Sequence, residues 1–308
     1  MLWSQSAGAP GPVTGGAMCE HVLPTGLMHL AIRLGGPPLR VLDPESGAAP
    51  DLGHAVIGGA RDRYYAKQAV AGAPSVGVQL LPGAARALFG VSAGELAGRH
   101  VSLDALLGAD AGHLCDRLRE EPAPQRRLDL VEAYLAARLP RARGLHPAVA
   151  EALAGFGAGN DVGSVVARSG YSHRHLGALF VDAVGLTPQR FRRVHRFQLA
   201  LDAHRRDPSL AWTRVAYGAG YADQAHFVRE FRAFTGVRPQ DYRRAAPAAR
   251  HHLPLPLDRA KARSIPCKTP WPPADTLAAL HPPEDRHERP RTVCLPVRRR
   301  YRRRDPLL

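Results

Sequence analysis

The chain has 308 residues, 45% of them hydrophobic, and a formal net charge of +15; a length of this order suggests two domains and excludes a wholly disordered or fibrous protein. The opening MLWSQSAGAP lacks the basic start and apolar run of a secretory signal. No apolar run approaches the roughly 18 residues of a membrane span, so a cytoplasmic protein with no membrane partner is expected.

In residues 1–150, Lys plus Arg number 14 against 13 Asp plus Glu. Short apolar runs at 27–34 (LMHLAIRL), 54–58 (HAVIG) and 75–81 (SVGVQLL), bounded by Gly/Pro breaks such as GGPP and LPG, predict strands. Helical segments follow: a short one at 83–90, one at 102–120 interrupted by two glycines, and one at 128–139 with Leu128, Val131, Leu135 and Leu139 on one face. Arg61, Asp62, Arg63 and Tyr64 fit a surface loop better than a ligand pocket. The expected class is multidomain α+β, with mixed strands and helices over 1–146 and an all-α domain over 147–244.

Residues 164–193 and 213–244 lie over each other as a repeat. Val165-Val166 and Gly170-Tyr171 match Val215-Ala216 and Gly220-Tyr221 at an offset of 50. Leu176, Phe180, Gly185, Pro188 and Phe191 match Phe227, Phe231, Gly236, Pro239 and Tyr242 at an offset of 51, so the extra residue falls in the turn. The pattern is helix, glycine turn, N-cap, helix. Ser172 and Asp223 are the expected N-caps, and Gly185 and Gly236 the C-caps. The apolar residues four and eight positions after each N-cap bury one face and leave the other for DNA.

Tyr171, Phe180, Tyr221, Phe227 and Phe231 are expected in the core. The exposed positions near the helix starts are His173, Arg174, Gly177 and Ala178 in the first unit, and Gln224, Ala225, Val228 and Arg229 in the second. Arg pairs with guanine edges and Gln with adenine in the major groove. A helix over 191–206 joins the units, with Phe191, Val194, Phe197, Leu199 and Leu201 as apolar contacts; its Arg192, Arg193 and Arg196 either reach phosphates or solvate the helix. The segment 151–244 carries 14 basic against 8 acidic residues, the footprint of a polyanion partner.

These stretches, above all GYADQAHFVREFRAFTGVRPQDYRR and LTPQRFRRVHRFQLA, resemble the DNA-binding domain of the AraC/XylS family almost end to end over 151–244. The resemblance implies a tandem helix-turn-helix fold, double-stranded promoter DNA and RNA polymerase as partners, and usually activation of transcription. It carries the base-reading roles to Arg174, Gly177 and Ala178 in the first unit and to Gln224, Ala225 and Arg229 in the second. At Gly177 and Ala178 the chain departs from the family pattern, because neither side chain can hydrogen-bond a base edge. HVLPTGLMHLAIRL and the stretch GARDRYYAKQAV through VSLDALLG resemble a sensor-type domain found before some AraC-type regulators, which implies response to a small-molecule effector or partner. Relatives usually carry more residues ahead of Leu2-Trp3, which implies a truncated or misassigned start.

Residues 245–308 hold 14 basic against 6 acidic residues and Pro-rich runs without periodicity, and are expected to be a disordered basic tail. Cys19, Cys115, Cys267 and Cys294 stand far apart and are expected reduced. His173 and His175 point apart on a helix, so no metal or other cofactor is expected. A fusion to an alkyl-transfer repair enzyme needs Cys-rich metal chemistry that these cysteines do not supply, so the chain is not expected to be an enzyme. The remaining alternative is an architectural DNA binder using the basic tail without sequence preference.

Overall fold

A computed structural model describes residues 2–5, 18–42, 51–68, 73–139, 144–247 and 249–256. Its first half is strand-rich: β1 (Leu2–Gln5), β2 (Met18–Val22), β3 (Met28–Arg33), β4 (Val41–Leu42), β5 (Ala55–Gly58), β6 (Tyr65–Gln68), β7 (Ser75–Leu80) and, after two short helices, β8 (His100–Ser102). Helices α1 (Ala84–Phe89) and α2 (Ala93–Leu96) precede β8; α3 (Leu103–Leu107), α4 (Ala109–Glu120) and α5 (Pro124–Arg138) follow it. The three expected strands are β3, β5 and β7. In β3, Met28, Leu30 and Ile32 alternate into the core, the period-2 pattern of a strand with one buried face. The expected helix at 102–120 breaks at Gly108, whose φ is 61°, and runs on through Gly112.

Among the described residues all strand pairs are antiparallel. One sheet has the order β1-β7-β3-β5-β8 and the other β4-β6-β2-β9. The last strand, β9 (His252–Pro256), comes from beyond the helical region and pairs with β2, His21 opposite Leu253. The expected disordered tail from 245 is corrected at this point: Leu253 is fully buried, and the strand supplies the backbone partners that β2 would otherwise lack. Glu20 of β2 pairs with His252 and with Lys67 of β6, at 3.4 Å. Burial works against its charged form, yet these partners hold its carboxyl below the usual range. The rest of the expected tail, 257–308, lies outside the described residues.

The second half is helical: α6 (Pro147–Gly157), α7 (Val162–Ser169), α8 (His173–Val184), α9 (Pro188–Arg206), α10 (Trp212–Gly218), α11 (Gln224–Thr235) and α12 (Pro239–Ala245). Ala148, Val149, Ala152 and Phe156 of α6 pack on Val165, Val166, Leu176, Phe180 and Val184. A second core gathers Phe197, Trp212, Phe227, Phe231, Phe234 and Tyr242, all buried, with Phe197 and Phe234 ring centroids 4.8 Å apart. Truncating one such ring to Ala costs about 3–5 kcal/mol, so these clusters set the helix positions.

The two halves are joined along α8, α9 and the end of α11. Gln198 donates from Nε2 to the Pro24 carbonyl at 2.6 Å and accepts from His251 at 2.6 Å. His21 donates from Nδ1 to the Thr235 carbonyl at 2.9 Å. The Gly83 amide donates to the Ala183 carbonyl at 2.8 Å, and Arg86 pairs with Asp182 of α8. The Arg61–Tyr64 segment is a loop with Arg63 exposed, and it is tied down at both ends: Arg61 donates to the Arg99 carbonyl at 3.0 Å, and the Tyr64 ring stacks on His21 at 4.2 Å.

Candidate nucleic-acid interface

Each unit is built as the repeat dictates. Helix α7 ends at Gly170 (φ 71°), and Ser172 caps α8 by accepting from the His175 amide at 3.2 Å. Helix α10 runs out through Gly220 (φ 78°), and Asp223 caps α11 by accepting from the His226 amide at 2.7 Å. The positive φ suits glycine because a Cβ would clash there. Between Gly220 and the cap stand Tyr221 and Ala222, where the first unit has only Tyr171, which accounts for the change of offset. Gly185 and Gly236 close both helices in the left-handed conformation.

Leu176, Phe180, Phe227 and Phe231 are fully buried, as their spacing requires. Helices α8 and α11 therefore turn their opposite faces out. His173, Arg174 and Ala178 are exposed and Gly177 half-buried; Gln224, Ala225 and Arg229 are exposed. Thus the structure brings each unit's sequence-derived positions together on one helix face. Tyr171 departs from the core expectation: it is 39% exposed and stacks on His175 at 4.8 Å, on the solvent side of the turn. Its counterpart Tyr221 is buried, because the longer second turn folds it back against Phe227 at 5.1 Å.

Beside the first unit's outer face lies an open groove of 680 Å³. Gly177, Ala178, Val181 and Pro188 line one side, and Ser92, the N-cap of α2, borders the other. Small residues at 177 and 178 open this groove. One turn further along the same stripe, Arg86 and Ser92 hold Asp182, and the pairing with Arg86 keeps its carboxyl below the usual range. The strand-rich half thus grips α8 directly after its exposed first turns.

Helix α9 begins at Pro188, three residues before the expected start, and its 19 residues span about 28 Å. Phe191, Val194, Phe197 and Leu201 face inward as expected, but Leu199 is 42% exposed, since the helix turns that position outward. Arg192 is half-buried and Arg193 exposed. Arg193 lies 2.5 Å from Glu230 and Arg196 3.4 Å from the same carboxylate, with His226 Nε2 at 3.5 Å. Glu230 is only 6% exposed and went unnoticed in the sequence. A signal was present: residues 227, 230, 231 and 234 share one helix stripe, and a carboxylate on an otherwise aromatic stripe calls for buried cations.

Among the described residues no three metal-ligating side chains come together, and no helix is long and apolar enough to cross a membrane.

Two family models match the chain: a helix-turn-helix domain over residues 165–245 and a domain of unknown function, DUF6597, over residues 3–102. No curated protein matches it. Among solved structures it is similar to ToxT from Vibrio cholerae O395 bound to (E)-4-(8-methylnaphthalen-1-yl)but-3-enoic acid, at 10% identity and a TM-score of 0.43, over 79% of this chain and 96% of that one. It is also similar to unsaturated fatty acid-bound ToxT from Vibrio cholerae strain SCE256, at 9% identity and a TM-score of 0.43, over 79% and 93%. The helix-turn-helix match takes in both glycine turns, both capped helices and the helix between them, so the chain carries an AraC-type helix-turn-helix domain and is a DNA-binding transcription regulator.

Proposed function

We propose that the chain reads two adjacent major-groove segments in a sequence-specific way, α8 in one and α11 in the next. The observation that carries this reading is that both capped helices leave their N-terminal turns exposed, one preceding and one following the 19-residue helix α9 in the chain. A recognition helix presents those turns to base edges, and successive segments lie about 34 Å apart along the duplex. Arg174 and His173 are the hydrogen-bonding groups of the first unit, with Gly177 and Ala178 allowing close approach. Gln224 and Arg229 read in the second unit beside Ala225, and Arg192 with Arg193 serves phosphates.

The proposed division is a sensor region over 1–146, which takes a small-molecule effector or partner, a reading domain over 147–244, and a basic segment after it. RNA polymerase is the proposed partner at the promoter. Selection of bound sequences from a random duplex pool tests the reading. The expected product is one asymmetric consensus with two halves about one helical turn apart, the α11 half carrying more information. A pool that yields no consensus overturns it in favour of non-specific binding.

A further inference from the structure

A short segment of the strand-rich half touches both capped helices. It is the connection from β5 of the first sheet to β6 of the second, residues 59–64. The first sheet's side anchors it: the Gly59 amide donates to the Arg99 carbonyl at 2.9 Å, and the Ala60 carbonyl accepts from the Gly98 amide at 2.9 Å. Ala60 is fully buried against the end of α8, where a Cβ on Gly185 would stand 3.2 Å from the Ala60 methyl and 2.9 Å from the Ala93 carbonyl oxygen. Asp62 lies 3.4 Å from Arg190 in the first turn of α9. The Tyr64 ring reaches the end of α11, where a Cβ on Gly236 would stand 2.7 Å from its Cζ. His21, stacked on Tyr64 and bonded to the Thr235 carbonyl, backs that contact.

Gly185 and Gly236 therefore do more than close their helices: at each, the helix end approaches the strand-rich half too closely for a side chain. Helix α9 already joins the two units, with Phe180 and Phe191 ring centroids 5.5 Å apart on one side and Phe197 and Phe231 5.6 Å apart on the other. A single joining helix holds each unit at one place and leaves its tilt to be set by a second contact. The segment from Ala60 to Tyr64 supplies that contact to both units at once, at the ends of α8 and α11 away from their exposed first turns. Four peptide steps separate Ala60 from Tyr64, a span of at most about 14 Å, so this tie has little slack.

We propose that residues 60–64 are a brace that sets the spacing and tilt of α8 against α11, and with them the distance between half-sites that the protein accepts on duplex DNA. Ala60 and Tyr64 are its positioning residues and act through the helix ends they touch. The Asp62–Arg190 pair adds little, since the Arg190 side chain is 60% exposed. One base pair more or less between the halves moves one half-site by about 3.4 Å along the duplex axis and about 34° around it, more than a braced pair of helices can follow. The inference rests on the reading of two adjacent major-groove segments proposed above.

The test measures the affinity of the full chain for duplexes that carry the selected consensus at its own spacing, and with one base pair added or removed between the halves. The wild-type chain should lose about tenfold or more at either altered spacing, as part of one half's contacts fall out of register. Tyr64→Ala, and separately two glycines inserted between Asp62 and Arg63, should each cut that penalty to about threefold or less while the base preference within each half stays the same. Val131→Ala, at a buried position on α5 outside the brace, lowers stability alone and should keep the wild-type penalty. A full spacing penalty in both folded brace variants overturns the proposal and leaves the two-segment reading standing, with α9 alone setting the spacing. A penalty relaxed equally in Val131→Ala also overturns it. A wild-type chain indifferent to spacing, or one that selects no consensus, overturns the reading and the brace together.

Discussion

Arg193 Nε lies 2.5 Å from Glu230 Oε1, so the helix between the two units, α9, is ion-paired to α11. Arg196 approaches the other oxygen of the same carboxylate at 3.4 Å. Glu230 is buried, so removing its charge leaves the Arg196 cation beside it uncompensated, whereas Arg193 is partly screened by solvent. Glu230→Gln keeps the shape and removes the charge, and should lower stability by about 1–3 kcal/mol in a denaturant titration. Each of Arg192→Ala and Arg193→Ala should reduce the slope of log affinity against log salt by about 0.9, but only Arg193→Ala should also lower stability, by less than Glu230→Gln because its side chain is 44% exposed. Equal stabilities for the two arginine variants would show that the ion pair does not hold α11.

Arg229→Ala should weaken specific binding by about 1–3 kcal/mol and relax base preference in one half of the site. Its side chain is exposed on α11, on the face opposite Phe227 and Phe231. Uniform loss of affinity across all sequences would make Arg229 a phosphate contact instead.

A Cβ at Gly177 meets nothing within 4 Å, and Gly177 lies inside a helix. Gly177→Ala should therefore stabilise the protein by about 0.5–1 kcal/mol. Gly177→Gln should add base information to the first half of the selected consensus. A destabilised Gly177→Ala variant would mean that α8 needs the glycine for its packing against α2.

Two cut points separate the roles of the C-terminal segment. A chain ending at Arg250 loses β9, the partner of β2, along with the His252–Glu20 pair. It should unfold at lower temperature than a chain ending at Asp258, which keeps the strand. The longer form should keep the full chain's consensus yet show a shallower salt slope, since it lacks the RRRYRRR run. Equal melting temperatures for the two forms would show that the strand adds no stability.

The buried histidines set a pH dependence with a definite sign. Burial lowers the pKa of His21 and His100, and brings His29 and His251 to about 3, below the roughly 6.5 of an unfolded chain. Between those values the unfolded chain binds more protons, so stability is full above about pH 7 and falls as pH drops. His29 alone should cost about 2 kcal/mol at pH 5. The lowered carboxyls of Glu20 and Asp182 act only at lower pH, so melts between pH 7.5 and pH 5 isolate the histidines. His251→Gln should flatten part of the fall; a melting temperature that rises toward pH 5 would contradict the assignment.

Local chemistry was legible in the sequence. Ser172 and Asp223 as caps, the turn glycines, and the burial of Leu176, Phe180, Phe227 and Phe231 follow from hydrogen bonds and spacings within one or two helical turns, which neighbouring residues decide among themselves. The two exposed helix faces followed from the same periodicity. Tertiary structure alone decided the pairing of β9 with β2, the exposure of Tyr171 against the burial of Tyr221, the gathering of Arg193 and Arg196 on Glu230, and the meeting of Ala60 with Gly185 and of Tyr64 with Gly236. These depend on contacts between residues far apart in the chain, whose formation is set by how whole elements pack and not by any repeat that a single segment carries.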